Sequence, residues 1–142
     1  MCIRDSHWTM LKAACLMALA VQLPIQSFMA HNFVAPYAKL HRAALAQDVD
    51  TVLIDPRQAM FAQDIAQNGP DFGTKPAIMD LSLVPDAALP ALCEGRVALI
   101  DRAHFEAVDM PSTPVPAGFD AALARKRQVL DRLECAPRLP LD

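Results

Sequence analysis

The chain of 142 residues is long enough for one domain with a hydrophobic core and too short for two of ordinary size. Hydrophobic residues make up 54% of it and the mean hydropathy is +0.20, which argues against disorder along the whole length. The net charge of −3 argues against a nucleic-acid partner, because such proteins concentrate basic residues on one face.

The opening residues do not read as part of a fold. The hexapeptide MCIRDS resembles translated sequencing-adapter sequence, so residues 1–7 are treated as an artefact. This origin implies that the chain is a C-terminal fragment of a longer protein.

An apolar segment follows at residues 8–30, in which Lys12 is the only charged residue. Its length suits a transmembrane helix, with Trp8 at a headgroup boundary and Lys12 extended toward it. Two alternatives stay open. One is a signal peptide cleaved after the motif at residues 18–20 (Ala-Leu-Ala), and the other is a buried helix of a soluble protein. Basic residues lie on both sides of the segment, so charge does not set the membrane orientation.

The first elements after this segment are a helix, a strand and a second helix. Apolar residues at helical spacing predict a helix over residues 34–47. The run TVLI at residues 51–54 is typical of a strand buried on both faces. A second helix is predicted over residues 57–67, ended by the turn sequence Asn-Gly-Pro at 68–70.

Two further strands are predicted at residues 76–79 and 96–100, with a short helix at 85–93 between them that Gly95 ends. This alternation of strand and helix is typical of a parallel sheet with right-handed crossovers. The sequence therefore predicts an α/β domain over residues 31–135, a small three-stranded parallel sheet flanked by helices. The order of the strands stays open.

The last elements are helical. One or two turns are predicted over residues 102–107, and an amphipathic helix over 119–135 after a proline-rich connection. The basic run at residues 125–127 (Arg-Lys-Arg) lies in this helix and is interpreted as a solvated face. Residues 136–142 are predicted to form a flexible tail.

Each predicted strand ends in an acid, namely Asp55, Asp80 or Asp101. Ligands of open parallel sheets bind at the carboxyl ends of strands, so these carboxylates are candidate ligand-binding residues. The alternative is that each acid caps the turn that follows its strand. None of the strands is followed by a glycine-rich phosphate loop, which argues against a nucleotide site.

The other candidate residues are His104, close to a strand end, and Asp64 and Asn68 in a polar connection. The cysteine spacing shows no metal motif, and no cofactor is predicted. Cys93 and Cys135 are either a disulfide of an oxidising compartment or two unpaired buried thiols.

Several segments together resemble the C-terminal soluble tail of a group of uncharacterised multi-pass bacterial inner-membrane proteins. The matching segments are residues 31–37, 52–55, 64–68, 75–76, 92–93 and 97–101. The group's loop resembles DLVRNDPF, whereas this chain has DIAQNGPDF with Gln67 in the place of the arginine. By analogy with lipid-linked sugar transferases, the resemblance implies a periplasmic soluble domain.

The resemblance implies an accessory domain without catalysis of its own, at the bacterial inner membrane. Its expected partners are the membrane and the upstream membrane domain of the same protein. The alternative is a small enzyme or a ligand- or metal-binding domain that uses the strand-end acids. A secreted domain released at Ala20 is a third possibility.

Overall fold

The computed structural model describes residues 3–59, 61–69, 73, 75–114 and 116–140. The expectations for residues 1, 2, 60, 70–72, 74, 115, 141 and 142 therefore lie outside the described residues. The chain divides into two compact units, one ending at Ala35 and one beginning at Pro36. The elements, in chain order, are α1 (Ile3–Leu45), β1 (Thr51–Ile54), β2 (Ala77–Asp80), α2 (Leu89–Leu92), β3 (Val97–Ile100), α3 (Arg102–Ala107) and α4 (Ala117–Leu133), with 3-10 turns at Ala62–Ile65 and Asp86–Ala88.

The three strands form one parallel sheet in the order β2-β1-β3, which confirms the predicted α/β fold. The central strand β1 is buried along its whole length, because it lies between two strands and under helices on both faces. Val52 is in register with Ile78 of β2 and with Ala98 of β3. This register aligns the carboxyl ends of the strands at one edge of the sheet.

Alternate side chains of the strands enter two separate cores. Val52 and Ile54 pack on one face, where the last turns of α1 supply Tyr37, Leu40 and Ala44. Leu53 and its neighbours pack on the other face against α2 and α4 through the buried residues Leu89, Leu123 and Leu130. The helices thus cover both faces of the sheet, as a parallel sheet requires.

The first unit consists of the part of α1 up to Ala35. Its large apolar side chains from Trp8 to Val34 are exposed, Leu16 and Phe28 by 67% and 68%. The stretch His7–Leu45 is long and apolar enough to cross a membrane. The helix that was predicted to begin at residue 34 is continuous with this apolar segment. The polar residues His31 and Asn32 interrupt the apolar pattern of the sequence. The helix continues through them, because a helical backbone does not require apolar side chains.

The prediction of a helix over residues 57–67 is wrong. In the described part of this stretch, residues 57–59 and 61–67, the 3-10 turn Ala62–Ile65 is the only helical segment. Gln58 and Phe61 adopt φ values of 66° and 53°, in the left-handed region that a right-handed helix excludes. The short helix around Pro90 does form, because this proline lies in the first turn of α2, where a missing N–H costs no hydrogen bond.

The tail predicted to be flexible is instead packed along β3 up to Leu139. Leu99 donates its N–H to the Pro137 carbonyl at 2.9 Å and accepts from Leu139 N at 3.0 Å. The Leu139 side chain is buried in the core that α1 covers. Two prolines in the tail suggested disorder, but a ladder that uses only alternate N–H groups tolerates them.

Cys93 and Cys135 form a disulfide, with 5.3 Å between their Cα atoms. It joins the residue after α2 to the segment that follows α4, on the face of the sheet formed by these helices. Of the two alternatives for these cysteines, the structure therefore has the paired one.

Candidate functional site

The three strand-end acids have one local geometry in common. Each carboxylate accepts a hydrogen bond from the backbone N–H two residues later: Asp55 from Arg57 at 3.2 Å, Asp80 from Ser82 at 2.7 Å, and Asp101 from Ala103 at 3.2 Å. This is the capping role that short polar side chains take at the ends of strands. Asp101 is also the N-cap of α3.

Asp55 and Asp101 follow adjacent strands and meet in one cavity of about 450 Å³. All of its lining residues except Ala103 are polar or charged, and they include four arginines and five acids. The lining residues are Asp55, Arg57, Gln58, Asp101, Arg102, Ala103, Glu106, Asp120, Arg127, Asp131 and Arg138. We call this space the switch cavity, because it lies between β1 and β3, where the order of the strands reverses.

Asp55 is neutralised by Arg57. The guanidinium donates from Nε to both carboxylate oxygens at 2.9 and 3.0 Å, and from Nη2 to Oδ2 at 2.6 Å. The Asp55 side chain is only 3% exposed, so this pair compensates for removing the carboxylate from water. The hydrogen bonds to Asp55 raise the pKa of Arg57 above its ordinary value, against the effect of burial.

Asp101 is held by groups from three different segments. His104 Nδ1 lies 3.0 Å from its Oδ1, while Arg138 Nε and Arg127 Nη1 form ion pairs with Oδ2 at 2.8 and 3.6 Å. Burial acts to raise the pKa of Asp101, but the bond to His104 and the charge of Arg138 outweigh it and lower the pKa. The buried carboxylate is therefore stabilised in its charged form.

Both ring nitrogens of His104 are used inside the protein. Nε2 lies 2.7 Å from the Leu139 carbonyl, which can only accept, so Nε2 carries a hydrogen. A ring that also carries a hydrogen on Nδ1 donates it to Asp101 Oδ1, whereas in the neutral ring Nδ1 accepts the backbone N–H of Asp101 at 3.1 Å, as in a capping box. The structure places this predicted ligand-binding residue as a link between α3 and the tail.

Asp80 is separated from the other two acids because β2 lies on the far side of β1 from β3. It lines a different cavity of about 470 Å³ that is mainly apolar, with Met79 and Leu83 in its wall. The three predicted carboxylates therefore do not form one site. Among the residues with described placement, no group of three or more His, Cys, Asp or Glu side chains is arranged to hold a metal ion.

The two candidates in the connection between β1 and β2 also lie apart from the switch cavity. Asp64 is exposed on the 3-10 turn. Asn68 donates to the Ile78 carbonyl at 2.7 Å and accepts the Ile78 N–H at 2.7 Å. It thus occupies the outer edge of β2 as a neighbouring strand would, which is a structural role.

The arginines of the switch cavity were not among the site residues predicted from the sequence. Arg57 follows the Asp-Pro pair at a strand end, a position that could have suggested a partner for Asp55. The basic run of α4 was interpreted as solvated, yet Arg127 is 19% exposed and Lys126 is 12% exposed. Arg138 lies in a tail that was expected to be loose, so no sequence signal connected it to the site.

Comparison with known proteins finds no matching family model, no similar curated protein and no similar solved structure. The function is therefore inferred from the geometry and chemistry of the chain itself.

Proposed function

We propose that the chain is the anchored C-terminal part of a bacterial inner-membrane protein, with its α/β domain in the periplasm. In this proposal the domain is accessory to an upstream membrane domain and has no catalysis of its own. The observation that carries it is the first part of α1, which is apolar on every side. Leu16, Met17, Leu19 and Val21 point in different directions around the helix axis, and all are more than half exposed.

An apolar helix of this kind is stable only if another apolar phase covers it. Each large apolar side chain left in water forgoes roughly 1.5–3 kcal/mol of burial free energy. From Trp8 to Ala35 the helix extends about 42 Å at a rise of about 1.5 Å per residue, enough to cross a hydrocarbon core of about 30 Å. The length and the all-round apolar surface favour a membrane span.

The disulfide supports the periplasmic side of the membrane. Disulfides persist in oxidising compartments such as the periplasm and are rare in the cytosol. Cys93 and Cys135 form theirs in the α/β unit, after the apolar helix. Lack of catalysis is supported by the placement of the predicted site residues, since the three acids cap turns and His104 bonds through both nitrogens.

The anchoring is tested by expressing the full chain in a bacterium and extracting the membranes with alkaline carbonate. We expect the chain to stay in the membrane pellet. Replacing Leu16 and Leu19 together by lysine should move it to the supernatant, because each charge at a helix centre costs about 3 kcal/mol of insertion. The matched control replaces Leu83, exposed in the α/β unit, by lysine and should stay in the pellet. A wild-type chain in the soluble fraction would contradict the proposal.

The membrane side is tested by fusing alkaline phosphatase, which is active only outside the cytoplasm, or a fluorescent protein to the C-terminus. An active phosphatase fusion is expected. If the phosphatase fusion is inactive and the fluorescent-protein fusion fluoresces, the domain lies in the cytoplasm and the proposal is contradicted. N-terminal sequencing of the mature chain tests the secreted alternative, since cleavage after Ala20 would give a chain beginning at Val21.

A further inference from the structure

The switch cavity lies where an open α/β sheet places its ligand. The chain runs from β1 to β2 on one side and then returns past β1 to β3, so the strand order reverses between β1 and β3. In open parallel sheets ligands bind outside the carboxyl ends of the strands at this reversal. Asp55 and Asp101, the residues that follow β1 and β3, both line the cavity.

The whole lining of the cavity has four arginines and five acids, but around its two buried carboxylates the guanidinium groups are in excess. Three guanidinium groups, those of Arg57, Arg127 and Arg138, face the two buried carboxylates of Asp55 and Asp101. Each guanidinium has five N–H donors, and Arg138 Nε forms an ion pair with Asp101 Oδ2 at 2.8 Å. Its side chain is 66% exposed, so the remaining donors are accessible from the cavity and from solvent.

The rim of the cavity includes the exposed carboxylates of Asp120 and Asp131, which form ion pairs with Arg57 and Arg127. Asp120 lies 3.7 Å from Arg57 Nη1, beyond hydrogen-bond distance, and its side chain is 53% exposed. Asp131 accepts from Arg127 Nε at 2.9 Å and is 59% exposed. Because the carboxylates of these two pairs are more than half exposed, each returns to water at low cost when a ligand anion takes its place.

We propose that the switch cavity binds a phosphate group, which displaces Asp120 and Asp131 from Arg57 and Arg127. The arginines come from three segments: the turn after β1, helix α4 and the tail. Donors arriving from three directions suit a tetrahedral group with several oxygens better than a planar carboxylate with two. This proposal does not depend on the membrane placement of the domain.

The test is a calorimetric titration of inorganic phosphate into the full chain, purified in a non-ionic detergent, with sodium chloride at matched ionic strength as the blank. Saturable binding of phosphate and none of chloride is expected. Arg127→Gln should weaken binding about tenfold or more, since it removes charged hydrogen bonds. The matched control is Arg96→Gln, whose guanidinium pairs with Asp48 beside the opposite end of β3 and should leave binding unchanged.

Two further variants separate ligand binding from a structural role of the arginines. Asp120→Asn and Asp131→Asn each remove a competing carboxylate, so each should tighten phosphate binding about two- to fivefold. A merely structural arrangement would not produce this gain. Equal responses to phosphate and chloride, equal losses in both arginine variants, or no gain in either asparagine variant would overturn the proposal.

The same titration distinguishes a soluble phosphate from a lipid headgroup. A short-chain phosphatidic acid that binds more tightly than inorganic phosphate, while phosphatidylcholine does not bind, supports the site with a lipid as its ligand. Equal affinities for the two phosphates support it with a soluble ligand. Binding of phosphatidylcholine as tight as that of phosphatidic acid would overturn it, because that headgroup lacks the terminal phosphate oxygens.

Discussion

Asp101 uses its two carboxylate oxygens for four contacts. Oδ1 accepts from Ala103 N and lies beside His104 Nδ1, while Oδ2 faces Arg138 and Arg127. A carboxylate that is 10% exposed and left without such partners would cost several kcal/mol of desolvation. The charge is therefore stable only because α3, α4 and the tail all reach it.

This arrangement predicts a pH dependence of the free energy of unfolding. The pKa of Asp101 is lower in the folded state than the ordinary value of 3.8, so its carboxylate stabilises the fold above that pH. The contribution is lost as the pH falls through the lower folded pKa. At pH 7 we expect Asp101→Asn to reduce the free energy of unfolding by about 1–3 kcal/mol, and the difference should shrink below pH 4. Urea unfolding at pH 7 and pH 3 measures it, and an equal difference at both would contradict the prediction.

Asn68 stabilises the edge of the sheet through its side chain alone. Its side chain satisfies both backbone groups of Ile78 on the outer edge of β2. Asn68→Ala should lower the free energy of unfolding by about 1–3 kcal/mol, because both groups lose their partner. The neighbouring Gln67→Ala, which removes an exposed side-chain bond to Asp64 O, should change it by less than about 0.5 kcal/mol. Similar losses in both variants would argue against the edge role of Asn68.

Helix α4 is attached to the connection after β2 by one lysine. The Lys126 ammonium donates to the carbonyls of Leu81, Ser82 and Val84, at 3.1, 3.0 and 2.5 Å. An ammonium has three donors, and this loop supplies one acceptor for each. The interaction fixes the loop and the helix against each other on the face covered by α2 and α4.

Lys126→Met keeps most of the aliphatic stem and removes the three donors. We expect it to reduce the free energy of unfolding by about 1–3 kcal/mol, since three partly buried carbonyls lose their charged partner. The control is Arg125→Met, one position earlier on the exposed side of α4, with an expected change below about 0.5 kcal/mol. Chemical denaturation monitored by circular dichroism measures both changes. An unchanged free energy of unfolding in Lys126→Met would show that water replaces the ammonium.

For the whole molecule, the strands and the fold class were predictable because they depend on local pattern. TVLI and VALI are buried on both faces and were recognised by their β-branched and apolar composition. The region after Asp55 was not predictable, since its conformation depends on left-handed residues such as Gln58 and Phe61 that carry no glycine signal. The switch cavity was half predicted, because Asp55 and Asp101 follow strands but Arg127 and Arg138 reach them only through the tertiary fold.

The disulfide is expected to stabilise the fold against unfolding. Cys93 and Cys135 are 42 residues apart in sequence, and their bond restricts the unfolded chain over that distance. Replacing both by serine should lower the free energy of unfolding by about 2–4 kcal/mol, whereas Cys15→Ser, exposed on α1, should have little effect. Alkylation without reductant should leave Cys93 and Cys135 unmodified in mass spectrometry. Rapid modification of both would show free thiols.

Neither border of the small sheet, that is, the outer edge of β2 or of β3, is left open. The side chain of Asn68 bonds to the backbone of β2, and the backbone of the tail bonds to that of β3. An open border is a template on which another polypeptide can add a strand and begin a cross-β fibril. Because one side chain and a few tail residues close these borders, their brief detachment, rather than global unfolding, is expected to set the rate at which fibrils nucleate.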